Sequence, residues 1–243
     1  VNTVPIFRVD ENNTSELETG LTWPNAFNTI QEGVDAASAA GGGEVWVAQG
    51  TYTDNVNAGD ADALGDGDDY CVVWMKDNVV LFGGFNGTEE FRYQRDPENQ
   101  PTVIDGENTR RGVVANALET SVLDGFTVRQ GYIGTSIGMG GAIYATRSLS
   151  LGINDCIFAQ NVAQGISKKP GYGGAISSSH SNILVSQADF SSNMALGGTY
   201  DGAAYGGALH AVNSRMVLTS SSIKENTAKA AAGHHGFFGS PGK

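Results

Sequence analysis

The stretches SLSLGINDCIF, NILVSQADF and RMVLTSSSI alternate apolar residues with small polar ones and are rich in Ile, Val, Ser and Phe. That period of two is the signature of half-buried strands. Between them lie QGISKKPGYGG and LGGTYDGAAYGG, whose glycines would break a helix. Earlier in the chain, VPIFRVD, EVWVAQGTY, CVVWM, NVVLFGGF, PTVID, GVVAN and SVLDGFTV read as further short strands. One segment departs from this pattern. From Asn25 to Ala39, the apolar residues Ala26, Phe27, Ile30, Val34 and Ala37 fall on one helical face, and Gly41-Gly42-Gly43 ends it.

The strands recur. Gly-Gly-Ala-Ile/Leu stands at Gly140–Ile143, Gly173–Ile176 and Gly206–Leu209, a step of 33 residues both times. A second motif keeps nearly the same period: Phe158-x-x-Asn161, Phe190-x-x-Asn193 and Ile223-x-x-Asn226. Two motifs sharing one period define a repeat architecture. Helix-pair repeats can share such a period, but strand-type residues and corner glycines exclude them here. The expected fold is therefore an all-β parallel β-helix, each repeat one coil, with equivalent residues stacked about 4.8 Å apart. Phe158, Phe190 and Ile223 should form an inner apolar column. Asn161, Asn193 and Asn226 should form a ladder of amides at a turn.

The whole chain, 1–243, reads as one such domain. Residues 1–45 hold a first strand, a polar loop and the helix, which is expected to cap the open end of the core. Residues 46–130 form irregular early coils, with NGTEEFRYQRDPENQ as a charged excursion; 131–230 are the three repeats, and 231–243 a tail.

Charge changes the picture only at one end. The net charge is −12, and residues 1–75 hold 13 acids against one base, Arg8, while the remainder holds 13 of each. Such a surface disfavours nucleic-acid binding. The chain contains no apolar run long enough for a transmembrane helix. Cys71 and Cys156 lie several coils apart in this reading, beyond disulfide reach, and are expected to be small core residues.

The GGAI and FxxN motifs together resemble the repeat signature of chlamydial polymorphic outer-membrane proteins. The N-terminal part is similar to bacterial secreted right-handed parallel β-helix proteins related in fold to pectate lyases. The matching residues there are WPNAFNTIQEGVDAASAAGGGEVWVAQGTY, NVVLFGGFNGTEEFRYQRD, TVIDGE and LDGFTVRQG. This resemblance implies export, to the extracellular space or a bacterial cell surface, and a right-handed coil, which is also the general sense of parallel crossovers. Its members include adhesins, passenger domains and carbohydrate-active enzymes, so it implies no single activity.

Candidate chemistry is sparse. DNVNAGDADALGDGDDY, from Asp54 to Tyr70, holds six aspartates and no base. Mutual repulsion among carboxylates is relieved by a hard cation, so calcium is the cofactor this loop suggests, with Asp60, Asp62, Asp66, Asp68 and Asp69 as ligands. The alternative is a solvated acidic loop, since DGDD lacks EF-hand spacing and the terminal Glu. A uronate lyase would need a base to take the proton α to a carboxylate, and Arg129, Arg147, Lys168 and Lys169 are the available bases. Arg147, His180 and Asn213 share one register, and Tyr144, Ser177 and His210 another. Asp155, Asp189, Asp201 and Glu225 do not all share one, which argues against a glycosidase pair. His234-His235 is read as incidental.

The expectation is a structural or adhesive extracellular module, with a uronate polysaccharide lyase as the alternative. Its partners would be further repeats of a longer chain, other copies of itself assembled into a filament, or carbohydrate. Two observations at the ends shape that expectation. The chain opens at Val1 without Met, suggesting a processed start. A fourth Gly-Gly-Ala is due near Gly239, but the sequence reads AAAGHHGFFGSPGK with no amphipathic cap.

Overall fold

A computed structural model describes residues 4–59, 70–135 and 137–231. Its strands stack coil upon coil into five sheets, nearly all of the pairing parallel, so the protein is a parallel β-helix with one helix near its N-terminus. The first sheet runs through every coil: Ile6–Val9, Gly43–Ala48, Val79–Phe85, Ser121–Asp124, Leu151–Asn154, Asn182–Ser186 and Arg215–Thr219. The second contains Gly50–Tyr52, Thr102–Asp105, Phe126–Arg129, Ile157–Ala159, Asp189–Ser191 and Ser222–Lys224. The third contains Val56–Asn57, Tyr70–Trp74, Arg111–Asn116, Ile143–Thr146, Ile176–Ser179 and Leu209–Val212; its first two strands are the antiparallel exception. These three sheets enclose the main core, into which Val45, Leu81, Leu123, Ile153 and Ile183 project from the first sheet.

The repeats add two short sheets that the described residues of the early coils lack. The fourth is Tyr132–Thr135, Val162–Gly165, Met194–Leu196 and Thr227–Lys229; the fifth is Gly138–Met139, Gly171–Tyr172 and Ala204–Tyr205. They lie back to back as a thin flange with almost no side chains between them. A Cβ on Gly141 would stand 2.6 Å from the amide nitrogen of Val162, and one on Gly174 would strike the backbone of Met194. The glycines therefore do more than turn the chain; they let two backbone layers meet.

Four columns of left-handed residues turn the coil at its corners. Gly140, Gly173 and Gly206 have φ of 63°, 59° and 60°. The other columns use side-chain-bearing residues: Arg147, His180 and Asn213; Asp155, Gln187 and Ser220; Gln160, Ser192 and Glu225, all at φ between 47° and 58°. Such conformations are uncommon for non-glycine residues and persist where surrounding structure over-determines them. Here the residue after each corner turns inward and is tied to the coils above and below. Asn161 Nδ2 donates to Asn193 Oδ1 at 2.8 Å, and Asn193 Nδ2 to Asn226 Oδ1 at 2.9 Å. The same oxygens accept the backbone N–H of Asn161 and Asn193 at 3.1 and 2.9 Å. A serine ladder does the same at another corner: Ser148 N–H donates to Ser181 Oγ and Ser181 N–H to Ser214 Oγ, both at 3.0 Å.

Inside the column beside the asparagines, the rings of Phe158 and Phe190 stack 4.9 Å apart and are fully buried. Ile223 continues the register above Phe190 but is 53% exposed, because it lies in the last described coil.

The helix, α1 (Ile30–Ala39), is shorter than its apolar pattern suggested. Ala26 and Phe27 are packed but not helical: Pro24 sits in a short 3-10 turn over Trp23–Asn25, and Thr29 is the cap. Thr29 and Glu32 form a reciprocal capping box that fixes the start. Ile30, Val34 and Ala37 then bury against the first coils, with Gly33 pressed onto Val9 and Val45. This helix closes the N-terminal end of the core.

Candidate functional site

The outer face of the first sheet carries an unusual apolar cluster. Trp46, Phe82 and Phe85 point away from the coil interior yet are buried. Trp23 packs on Phe85 and Arg8 lies over Trp46, while Phe82 is covered by the excursion at residues 86–101, which the sequence marked only as charged. Trp46 and Phe85 stack at 4.9 Å, and the guanidinium groups of Arg92 and Arg95 lie 4.7 and 5.1 Å from the Phe82 ring centre. Such contacts let charged residues cover an apolar surface.

The excursion is held down at many points. The buried Glu89 carboxylate accepts the backbone N–H groups of Asn86, Gly87 and Thr88 at 2.7, 3.2 and 3.0 Å. Trp23 Nε1 donates to Glu89 O at 2.9 Å, Arg92 pairs with Glu44 at 2.7 Å, and Arg95 pairs with Asp124. Gln94 Oε1 accepts the N–H groups of Glu90 and Phe91 at 2.9 and 2.8 Å. Two rings on this segment nevertheless face solvent. Phe91 and Tyr93 are 52% and 82% exposed, stacked with centroids 5.5 Å apart and planes 10° from parallel.

Beside the excursion runs a cleft of about 440 Å³. Arg95, Asp96, Pro97 and Glu98 form one wall; Thr127, Ile157 and Asp189 of the second sheet form the floor, and the corner residues Asp155 and Gln187 border it. Four carboxylates thus face one guanidinium, which is already paired with Asp124. Asn99 holds the Asp96 carboxyl below its usual range by a side-chain hydrogen bond, so it is ionised at neutral pH.

The residues singled out in the sequence are distributed elsewhere. Arg129 is ion-paired with Asp105 at 2.8 Å. Arg147 Nη2 donates to Asn116 Oδ1 at 2.9 Å, while His180 Nε2 lies 3.2 Å from Asn213 Nδ2, so this register is a corner column. Lys168 and Lys169 are exposed beyond Val162–Gly165, in the loop at the flange tip. The structure does not bring these bases together, and none of them lines the cleft. Tyr144, Ser177 and His210 do share a register in the third sheet, with Ser177 Oγ 3.3 Å from His210 Nδ1. His210 packs on Tyr172 at 4.5 Å, and its burial pushes its pKa down. Asp155 and Asp189 border the one cleft, whereas Glu225 and Asp201 lie at corners away from it.

Asp60, Asp62, Asp66, Asp68 and Asp69 lie outside the described residues. Among the described residues, no group of three or more His, Cys, Asp and Glu is placed to hold a metal ion, and no helix is long and apolar enough to cross a membrane. Cys71 and Cys156 are free, buried thiols, and burial pushes both up to about 12, which removes thiolate reactivity at neutral pH.

Asp54 is the described part of the acidic loop and gives a pH prediction. Burial raises its carboxyl to about 6, opposed by a hydrogen bond from the Ile30 N–H at the start of α1 and reinforced by Glu32. A carboxyl with a raised folded pKa favours folding below its unfolded value near 3.8 and loses that contribution as pH rises through about 6. Asp54→Asn, which keeps an acceptor for Ile30, should therefore raise the melting temperature at pH 7 and flatten its rise between pH 7 and 4. Parallel melting curves of the two proteins across that range check this.

No protein-family model, curated protein or solved structure matches the chain. The fold defines a parallel β-helix in which the asparagine ladder and the stacked Phe158 and Phe190 run inside the repeat coils.

Proposed function

We propose that this protein is a structural or adhesive module of the extracellular space or bacterial cell surface, working as part of a longer coil stack or of a fibre of its own copies. The observation that carries this reading is the repeated ladder, which passes the same side-chain bonds from one repeat coil to the next. Asn226 Nδ2 donates to Phe190 O and Lys224 O at 2.9 Å, repeating the bond Asn193 makes to Phe158 O. Rungs that repeat from coil to coil suit the addition of further coils, from a longer chain or from another copy.

The resemblance to secreted β-helix repeat proteins supports the same reading, and calcium on the acidic loop belongs to it as a proposal. Two measurements test it. Sedimentation and electron microscopy of the protein at high concentration should give association through the C-terminal end, abolished by Ile223→Lys or Leu218→Lys. A monomer at all concentrations, unaffected by either change, would remove the reading. Calorimetry should give calcium binding at millimolar ion; none would leave the solvated loop.

A further inference from the structure

The Phe91–Tyr93 pair has no role in the coil. An exposed pair of large aromatic rings is unfavourable for a soluble surface and marks a contact site. This pair is also unusually fixed. Its backbone is tied by Gln94, and the arginine between the rings is anchored to both Glu44 and the Phe82 face. A contact that must be presented in one geometry, on a mount already ordered, spends little entropy on binding.

We propose that Phe91 and Tyr93 are the stacking platform of a carbohydrate site that continues into the neighbouring cleft, and that its ligand is a neutral glycan. The negative face of an aromatic ring attracts the C–H groups on one side of a pyranose, and Tyr93 adds a hydroxyl. Asp96, Glu98, Asp155 and Asp189 along the cleft are, as carboxylates, acceptors and not donors, which matches the many O–H donors of a sugar. The same carboxylates repel a uronate polymer or an anionic lipid surface, because the only guanidinium in the cleft is neutralised by Asp124. Ile157, exposed in the cleft floor, and Pro97 give an apolar strip for the sugar ring edges. The cleft crosses successive coils, so an extended chain, rather than a single sugar, fits its run.

This inference rests on the adhesive reading, but its test is independent of assembly. The full chain is titrated by calorimetry with neutral hexasaccharides of glucose, mannose and N-acetylglucosamine, and with polygalacturonate. At least one neutral oligomer should bind. The double variant Phe91→Ala/Tyr93→Ala should weaken that binding tenfold or more with an unchanged melting temperature, Tyr93→Trp should preserve it, and Asp189→Asn should weaken it severalfold. Polygalacturonate should not bind. Failure of every neutral oligomer, equal binding by the double variant, or preference for polygalacturonate would each overturn the proposal. So would a loss of self-association in the double variant without any glycan binding, since the rings would then be a protein contact. Loss of glycan binding with intact C-terminal assembly would leave the structural reading standing.

Discussion

Gly174→Ala is expected to destabilise the protein by about 3 kcal/mol or more, at the upper end of what overpacking costs. The added Cβ would strike the backbone of Met194 and the carbonyl of Gly207, and backbone layers cannot rotate out of the way as a side chain can. Relief requires this one coil of the fifth sheet to draw away from the fourth, which strains the parallel pairing of Gly171–Tyr172 with its neighbours above and below. Gly152→Ala is the control. It also sits in a repeat strand, but its Cβ would meet only the Val122 methyl groups, the nearer at 3.2 Å. That change should cost under about 1 kcal/mol, because a side chain can give. Denaturant unfolding with unchanged m-values measures both. Because coils interact chiefly with their neighbours, the flange should also become the first site of proteolysis in Gly174→Ala while the enclosed core stays protected. Equal stability of the two variants would mean that the flange is not closely packed.

The glycine result shows where sequence reasoning reached and where it stopped. Period-two alternation and the 33-residue step specified the solenoid, because stacking forces equivalent residues into one register and one chemistry. The pairing of Phe158 with Phe190, and of Phe190 with Ile223, follows that register. The glycine pairs were legible as corners, but their second role was not. A glycine that turns and a glycine that lets two strands touch look alike in one dimension. The helix start was misplaced because apolar spacing ran back through Ala26, although Thr29-x-x-Glu32 already carried the capping signal.

The serine ladder went unread for a similar reason. Ser148, Ser181 and Ser214 sit among many surface serines, and only their position after a left-handed corner distinguishes them. The excursion was legible as charge, not as a clamp, because Phe82 is an outward-facing residue whose covering arginines, Arg92 and Arg95, come from further along the chain. Phe91 and Tyr93 were hidden in it for the same reason. In the alternation Glu90-Phe91-Arg92-Tyr93, nothing local says which residues are covered.

Asn193 offers the second large effect, because it is the middle rung of the buried ladder. Its amide donates to Phe158 O and Asn226 Oδ1, both at 2.9 Å, while its oxygen accepts two bonds from Asn161. Asn193→Ala leaves the Asn161 N–H and Nδ2 without their acceptor and Phe158 O and Asn226 Oδ1 without this donor, and each buried unpaired group costs roughly 1–3 kcal/mol. A loss on the order of 3 kcal/mol is expected, whereas Asn226→Ala, at the half-buried rung, should cost less, about 1 kcal/mol. Asn193→Asp separates shape from polarity. The carboxylate can still accept from Asn161, but it turns an oxygen toward Phe158 O and Asn226 Oδ1, where a donor is required. Burial and this repulsion raise its folded pKa. Its deficit should therefore be greatest at neutral pH and shrink as pH falls and the carboxyl becomes a donor, the opposite of a salt-bridged aspartate. Melting curves of wild type, Asn193→Asp and Asn193→Ala between pH 4 and 8 decide the matter. A deficit in Asn193→Asp that does not change with pH would mean that the ladder works by filling space and not by directed hydrogen bonds.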